Sequence, residues 1–321
     1  MTPSIVGIAT TKLNPNEMAV LAEHQPLGVI LFARNLEAPA QLRRLTDELK
    51  RLLPAGAVIM VDQEGGRVAR LRPPHWRAHP PARALRTERA AYLTGALIGV
   101  ECAEAGFDLV AAPVLDVADP QGHDVIGDRA FSDDPARVAA LGAAFAAGLL
   151  AAGVQPVGKH APGHGRARAD SHLKLPVLDD VDERDLFPFI ANRALPWLMT
   201  AHIRYMRYDM QPATHSATII SRIIRAPGAI GFQGVLVSDD LAMGALSGTP
   251  GDRARRALAA GCDVALHCSG VLQDTVDVLR SAGDAGPACL ARLAAGRDMA
   301  EAARQALDAG AIEAERAALL A

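Results

Sequence analysis

The chain alternates between short apolar runs and longer segments in which alanine, leucine and charged residues recur at helical spacing. Continuous apolar runs without alternation are typical of strands that are buried on both faces of a parallel sheet. Eight such runs predict eight strands: Ser4–Ile8, Gly28–Phe32, Ala57–Asp62, Leu109–Asp116, Val154–His160, Trp197–Ile203, Val235–Asp240 and Asp263–Cys268.

Each predicted strand is followed by a segment whose pattern predicts a helix. Several of these segments end at a glycine, for example Gly106, Gly153 or Gly261, as helices often do. The predicted helices are Asn16–Glu23, Pro39–Leu53, Glu88–Gly106, Pro135–Ala152, Asp182–Asn192, Ile219–Ala226, Gly251–Ala260 and Val271–Ala282. A ninth helix, Pro287–Ala309, is expected to pack on the outside.

Eight consecutive strand–helix units predict an α/β fold with a parallel sheet, and eight is the number that closes a (β/α)8 TIM-type barrel. A doubly wound open sheet is the alternative. Because no Pro/Ser-rich linker or low-complexity tract interrupts the pattern, residues 1–321 are predicted to form one catalytic barrel domain.

Ionisable residues end six of the eight predicted strands, although a buried strand normally needs none. Barrel enzymes place their sites at the carboxyl ends of the strands, so these residues predict a converging polar site. They are Asp62, Asp116, Lys159-His160, His202, Asp239-Asp240 and His267.

Two groups of residues have the chemistry of catalysis. Asp239, or its neighbour Asp240, is a candidate nucleophile, base or metal ligand, although either can instead cap the next helix. Asp170 and His172 are two residues apart, so an extended backbone places both on one face, where the carboxylate orients the imidazole for proton transfer. Gly163 and Gly165 precede this pair and suggest that the loop moves.

Other chemistry has weaker support. His160, His164 and His172 match no zinc-binding spacing, and Lys159 beside them would repel a cation, so no metal is expected. Lys159 could form a Schiff base, but a single lysine at a strand end is weak evidence for that chemistry. A hydrogen-bonding or charge role for Lys159 is favoured. No nucleotide-binding glycine motif and no Gly-x-Ser-x-Gly motif is present.

The composition and charge of the chain disfavour several classes of binding partner. The chain is 50% hydrophobic with a formal net charge of −3 and no Lys/Arg-rich run, which disfavours nucleic acid. No apolar run is long enough to span a bilayer, and the first residues lack the pattern of a secretory signal. Four cysteines without a paired motif are typical of free thiols in a reducing compartment. A cytoplasmic monomer that does not bind membranes is expected.

The polar candidates together fit a hydroxylated substrate, and a nucleophilic carboxylate opposite an acid/base is the logic of retaining glycosidases. Several segments taken together resemble the signature motifs of family 3 glycoside hydrolases, specifically the bacterial β-N-acetylhexosaminidases of cell-wall recycling. These segments are Asp62-Gln-Glu-Gly-Gly-Arg-Val68, Gly127-Asp-Arg-Ala-Phe131, Lys159-His-Ala-Pro-Gly-His-Gly165, Asp170-Ser-His172, Met199-Thr-Ala-His-Ile203 and Ser238-Asp-Asp-Leu241.

The resemblance implies a cytoplasmic barrel without a cofactor that releases N-acetylglucosamine, typically from 1,6-anhydro-muropeptides, by a retaining double displacement. It implies that Asp239 is the nucleophile, that His172 is the acid/base and that Asp170 is its partner. The positions expected to hold the sugar are Asp62, Arg70, Arg129, Lys159 and His160. Two alternatives remain: a phosphorylase, in which phosphate replaces water, and a barrel that binds sugar without catalysis.

Overall fold

In the computed structural model, which describes residues 1–321, eight parallel strands form a barrel. A backbone bridge between Val237 and Val264 closes the sheet between its two edge strands. The order around the barrel is β10-β1-β2-β3-β4-β5-β7-β9, while β6 and β8 form a separate small sheet. The strands are β1 Thr2–Gly7, β2 Pro26–Leu31, β3 Val58–Val61, β4 Leu109–Val110, β5 Gln155–Ala161, β6 Val177–Leu178, β7 Trp197–Thr200, β8 Arg204–Tyr205, β9 Val235–Val237 and β10 Ala265–His267.

Helices connect the strands on the outer face, so the predicted barrel is confirmed and the open sheet is excluded. A π-helical turn, Ile220–Ile224, continues the short α6. The helices are α1 Pro15–His24, α2 Pro39–Leu52, α3 Glu88–Ala105, α4 Pro135–Ala151, α5 Glu183–Ala191, α6 Ala217–Ile219, α7 Pro250–Ala260, α8 Leu272–Ala282, α9 Pro287–Ala303 and α10 Ala309–Leu320.

Alternate residues of the strands serve two separate apolar clusters. On β3, Val58 and Met60 belong to the cluster inside the barrel, whereas Ile59 and Val61 belong to the larger cluster that includes the helices. Because successive side chains of a strand point to opposite faces, one apolar run supplies both clusters. This double burial is the reason why the strands are continuously apolar.

The predicted helix Pro287–Ala309 was wrong in extent. The helix ends at Ala303, and a second helix, α10, begins after Asp308, whose side chain accepts hydrogen bonds from the backbone N–H groups of Gly310 and Ala311. Cys289 and Leu293 of α9 belong to the apolar cluster inside the barrel. Helix α9 therefore covers the amino-terminal end of the strands, opposite the expected site.

A buried polar chain holds α10 to the body of the barrel. Arg316, which is 3% exposed, donates to Nδ1 of His79 over 2.8 Å, and Nε2 of His79 lies 2.9 Å from Glu101. An arginine only donates, so Nδ1 must accept and Nε2–H must donate to Glu101. The His79 carbonyl in turn accepts a hydrogen bond from the N–H of Gly66.

Candidate active site

A polar cavity of about 410 Å³ opens at the carboxyl ends of the strands. That volume lies within the range of small-molecule sites. Seven of the eight predicted site residues line it, and the eighth, Asp170, is hydrogen-bonded to one of the seven. The seven are Asp62, Arg70, Arg129, Lys159, His160, His172 and Asp239.

Four charged side chains form what we call the cavity floor: Asp62, Glu64, Arg129 and Lys159. The Lys159 ammonium, with its side chain 3% exposed, lies 3.1 Å from Asp62 and 2.6 Å from Glu64. Glu64 also receives two hydrogen bonds of 2.8 Å from the Arg129 guanidinium. Arg70 lies beside the floor and donates to the other oxygen of Asp62 over 3.1 Å.

The floor keeps its members charged despite their burial. Burial raises the pKa of Asp62, but Lys159 and Arg70 outweigh it and hold that pKa well below its ordinary value. Burial lowers the pKa of Lys159, yet Asp62 and Glu64 outweigh it and raise that pKa. Asp62 is therefore an ionised acceptor for hydroxyl groups, and Lys159 is an ammonium rather than the free amine that a Schiff base requires.

Glu64 is the main residue of the site that the sequence interpretation missed. A salt-bridged tight turn is the simplest explanation of the Glu64–Arg67 segment, but the partners of Glu64 are Arg129, in the loop after β4, and Lys159, on β5. Arg67 does form an ion pair, with Asp128 of the neighbouring loop. No local spacing could have revealed these contacts, because they depend on the alignment of neighbouring strands in the sheet.

Asp116 orients the beginning of the histidine-rich loop. One oxygen of this fully buried carboxylate accepts from the N–H groups of His160 and His164, and the other lies 2.7 Å from Nδ1 of His160. Nδ1–H of His160 therefore donates to Asp116, which leaves Nε2 of His160 available toward the cavity. Asp116 ends a predicted strand, and this position in the sequence already indicated that its side chain belongs to the site.

The histidines of this loop do not converge on a common point. His160 pairs with Asp116, His164 with Ser171 at 3.0 Å, and His172 with Asp170. Burial lowers the pKa of His164 to about 4, so its ring is neutral. No three His, Cys, Asp or Glu side chains are grouped so that they could hold a metal ion.

Asp239 and Asp240 have different environments. Burial raises the pKa of Asp239, but His202, His160 and the N–H of Asp240 outweigh it and lower that pKa below its ordinary value. The N–H of Asp240 donates to Oδ1 of Asp239 over 2.8 Å. Asp240 instead accepts from the N–H groups of Ala242 and Cys268, each over 2.9 Å, which is a structural role.

Asp170 and His172 form the predicted pair. Oδ1 of Asp170 lies 2.7 Å from Nδ1 of His172 and also accepts from the backbone N–H of His172 over 2.9 Å. Burial raises the pKa of Asp170, but these two hydrogen bonds and the charge of His172 outweigh it together and lower that pKa. The His172 side chain is 60% exposed, in contrast to the buried floor.

The two glycines of the histidine-rich loop have packing reasons for their identity. A Cβ on Gly165 would lie 1.7 Å from the carbonyl oxygen of Val117. Gly163 has a φ of +138° and packs against Asp185. The positive φ accounts for Gly163 and the close backbone approach accounts for Gly165, and the mobility of the loop stays a prediction.

A charged, sugar-sized cavity with a carboxylate and an imidazole–carboxylate pair at the carboxyl end of a barrel defines a carbohydrate-active enzyme. Residues 4–296 match the model of the glycosyl hydrolase family 3 N-terminal domain. The chain therefore belongs to glycoside hydrolase family 3 and is a glycoside hydrolase.

Relatives and solved structures agree with this assignment. A beta-hexosaminidase of Pseudomonas aeruginosa is 42% identical over 277 residues, which are 83% of this chain and 82% of the relative. A beta-hexosaminidase of Alkalilimnicola ehrlichii is 40% identical over 288 residues, with 83% and 80% covered. The crystal structure of NagZ from Neisseria gonorrhoeae in complex with N-trifluoroacetyl-D-glucosamine is 34% identical, with a TM-score of 0.86 over 100% of this chain and 98% of that one.

None of the helices combines the length and the apolar character that crossing a membrane requires.

Proposed function

We propose that the protein is a retaining β-N-acetylhexosaminidase that releases terminal, non-reducing N-acetylglucosamine. The observation that carries this proposal is one cavity that is lined by the Asp239 carboxylate and by His172, whose ring is paired with Asp170. The names of the relatives and the N-acylated glucosamine in the Neisseria gonorrhoeae structure support the choice of sugar.

The first step would form a glycosyl-enzyme intermediate. Oδ1 of Asp239 accepts the N–H of Asp240, which leaves Oδ2 to attack the anomeric carbon. Because Nδ1 of His172 is engaged with Asp170, Nε2 is the ring nitrogen that would protonate the leaving oxygen. The low pKa of Asp239 suits this step, since the nucleophile is ionised without a base.

The second step would hydrolyse the intermediate. His172 has lost its proton in the first step, so Nε2 can take a proton from the attacking water. Water attacks the anomeric carbon, the bond to Asp239 breaks, and N-acetylglucosamine leaves with its configuration retained. The negative charge of Asp170 stabilises the imidazolium that forms again.

The sugar itself would be held by the floor and its neighbours. Asp62 presents an ionised oxygen to hydroxyl groups, while Arg70, Lys159 and Arg129 supply donors. Nε2 of His160 adds a further polar atom, because Nδ1 is engaged with Asp116. Paired charges of this kind suit hydroxyl recognition, because each charged group is held in place by its ion-pair partner and can still form a hydrogen bond with a hydroxyl group of the substrate.

The resemblance to enzymes of cell-wall recycling supports a muropeptide that carries N-acetylglucosamine on 1,6-anhydro-N-acetylmuramic acid as the substrate. A monomer in the cytoplasm is proposed with it. Four unpaired, buried cysteines support a reducing compartment.

Product analysis tests the proposal. The purified protein is incubated with the muropeptide and with chitobiose, in buffers with and without phosphate. Free N-acetylglucosamine of β configuration is expected in both buffers, and sugar 1-phosphate would instead establish phosphorolysis. Release of an inverted sugar, or binding without turnover of either substrate, would reject the proposed function.

A further inference from the structure

The loop that carries the acid/base rests on the segment that follows the nucleophile. The N–H of Gly244 donates to the carbonyl of His172 over 3.0 Å, and the N–H of Ala245 donates to the carbonyl of Ser171 over 3.3 Å. The Ser171 hydroxyl also meets Nε2 of His164 over 3.0 Å. The backbone of the His172 loop therefore takes its position directly from residues a few places beyond Asp239.

That supporting segment is itself fixed to the barrel. Oδ1 of Asp240 ties it to the N–H of Cys268, which follows the last strand. Arg253 of α7 donates to the carbonyls of Leu241 and Met243 over 2.7 and 3.2 Å. The nucleophile and the surface that supports the acid/base are thus parts of one braced turn.

Gly244 is the point of closest approach between the two segments. A Cβ at this position would lie 2.8 Å from the carbonyl oxygen of His172 and 2.9 Å from that of Leu173. Both are backbone atoms, so no flexible side chain can move aside. The φ of Gly244 lies outside the left-handed region, so its own backbone does not require glycine. The contact with the loop is what excludes a side chain here.

We propose that Gly244 is a positioning residue for catalysis, which docks the acid/base loop by leaving room for the carbonyls of His172 and Leu173. The proposal rests on the proposed function of His172 as the acid/base. A methyl group at position 244 would push the loop away from Asp239 and would misplace Nε2 of His172. A displacement of about 1 Å can lower the rate of a positioned step by about 10²-fold.

The test compares leaving groups, because only poor ones need protonation. In Gly244→Ala, kcat/KM for a methyl N-acetylglucosaminide should fall by about 10²-fold. For the dinitrophenyl glycoside, whose leaving group departs without a proton, it should change by less than about threefold. A carbon at Gly228 would meet no atom within 4 Å, so Gly228→Ala is the matched control and should leave both values unchanged.

A double variant distinguishes a specific loss of loop position from a general disturbance of the active site. In the His172→Ala background, Gly244→Ala should cost nothing further, because the group that it positions is gone. An equal loss on both glycosides that persists in this background would overturn the proposal. So would a Gly244→Ala enzyme whose kcat/KM on the methyl glycoside stays within about twofold of the parent.

A comparison of the two single variants distinguishes failure of the proposed role of His172 from failure of the docking role of Gly244. If His172→Ala itself shows no preference for good leaving groups, the proposed role of His172 fails, and the docking role fails with it. If His172→Ala shows that preference and Gly244→Ala does not, only the docking role fails. Should Gly244→Ala not fold, Ser171→Ala removes the contact with His164 and should show the same selectivity at about tenfold, and its absence would overturn the docking role.

Discussion

The cavity floor and the His172 loop differ in how they are held. The floor consists of paired charges, of which Glu64 is 5% and Lys159 3% exposed, and Glu64 lies between Arg129 and Lys159. The His172 side chain is 60% exposed, and its loop is tied mainly by backbone hydrogen bonds. Under the proposed function, the comparison assigns sugar recognition to side chains that are fixed by buried ion pairs, and proton transfer to an exposed histidine whose loop is held by fewer side-chain contacts.

The largest effect is expected from removal of the proposed nucleophile, which lines the same cavity. Asp239→Ala should lower kcat for an aryl N-acetylglucosaminide by about 10⁴-fold or more, because no covalent intermediate can form. The thermal unfolding curve should be that of the parent protein. Full activity in this variant would end the assignment of Asp239.

The next effect concerns the floor. Glu64→Gln leaves Arg129 and Lys159 with one buried carboxylate fewer and should reduce the free energy of unfolding by about 3 kcal/mol. Denaturant titration measures this change.

The matched control for the floor is Glu315→Gln, which breaks an exposed ion pair with Arg89 and should have no measurable effect on unfolding. If the two variants lose equal free energy of unfolding, the buried ion pairs of the floor contribute no more to stability than an exposed pair.

A smaller effect is expected from the loop. Asp170→Asn removes the charge that orients and stabilises the His172 imidazolium, so kcat/KM for poor leaving groups should fall by about tenfold. Stability should not change. Asp179→Asn, an exposed aspartate nearby, is the control, and a loss on good and poor leaving groups alike would argue against the pairing.

The last prediction concerns the pH dependence of stability. Burial raises the pKa of Glu64, but Arg129 and Lys159 outweigh it and hold that pKa at about 2, against an ordinary value of 4.5. A depressed pKa contributes stability above the ordinary value, and this is lost as the pH falls from 4.5 toward 2. Glu64→Gln should therefore show a shallower loss of melting temperature over that range, and parallel curves would contradict the ion-pair description.

The barrel was predictable because it rests on repeated local patterns. Apolar runs that are buried on both faces are visible in the sequence, and polar residues at their ends mark the site. The segment Leu109–Asp116 is less regular than predicted, with paired strand only at Leu109–Val110. Its backbone still bonds to β5, for example from Leu115 N–H to the Lys159 carbonyl, so Asp116 lies where the pattern placed it.

Contacts between distant segments were not predictable. The pairing of Glu64 with Arg129 and of Gly244 with His172 arises only when separate loops meet above the barrel. The break before α10 was missed because the alanine-rich sequence continues through Ala309, while Arg304 leaves the helical conformation with a ψ of 136°. Tertiary contacts decided the pairings between loops, whereas the start of α10 is set locally by the Asp308 cap.

The buried chain from Arg316 through His79 to Glu101 has a consequence for the evolution of this protein. The three residues lie in three separate segments, yet each satisfies a polar atom that would otherwise be buried alone. A change in one of them leaves a polar atom of its neighbour buried without a partner, so the three positions should covary among relatives. The His79 carbonyl also accepts from the N–H of Gly66, so the backbone at position 79 lies against the turn beside the cavity floor.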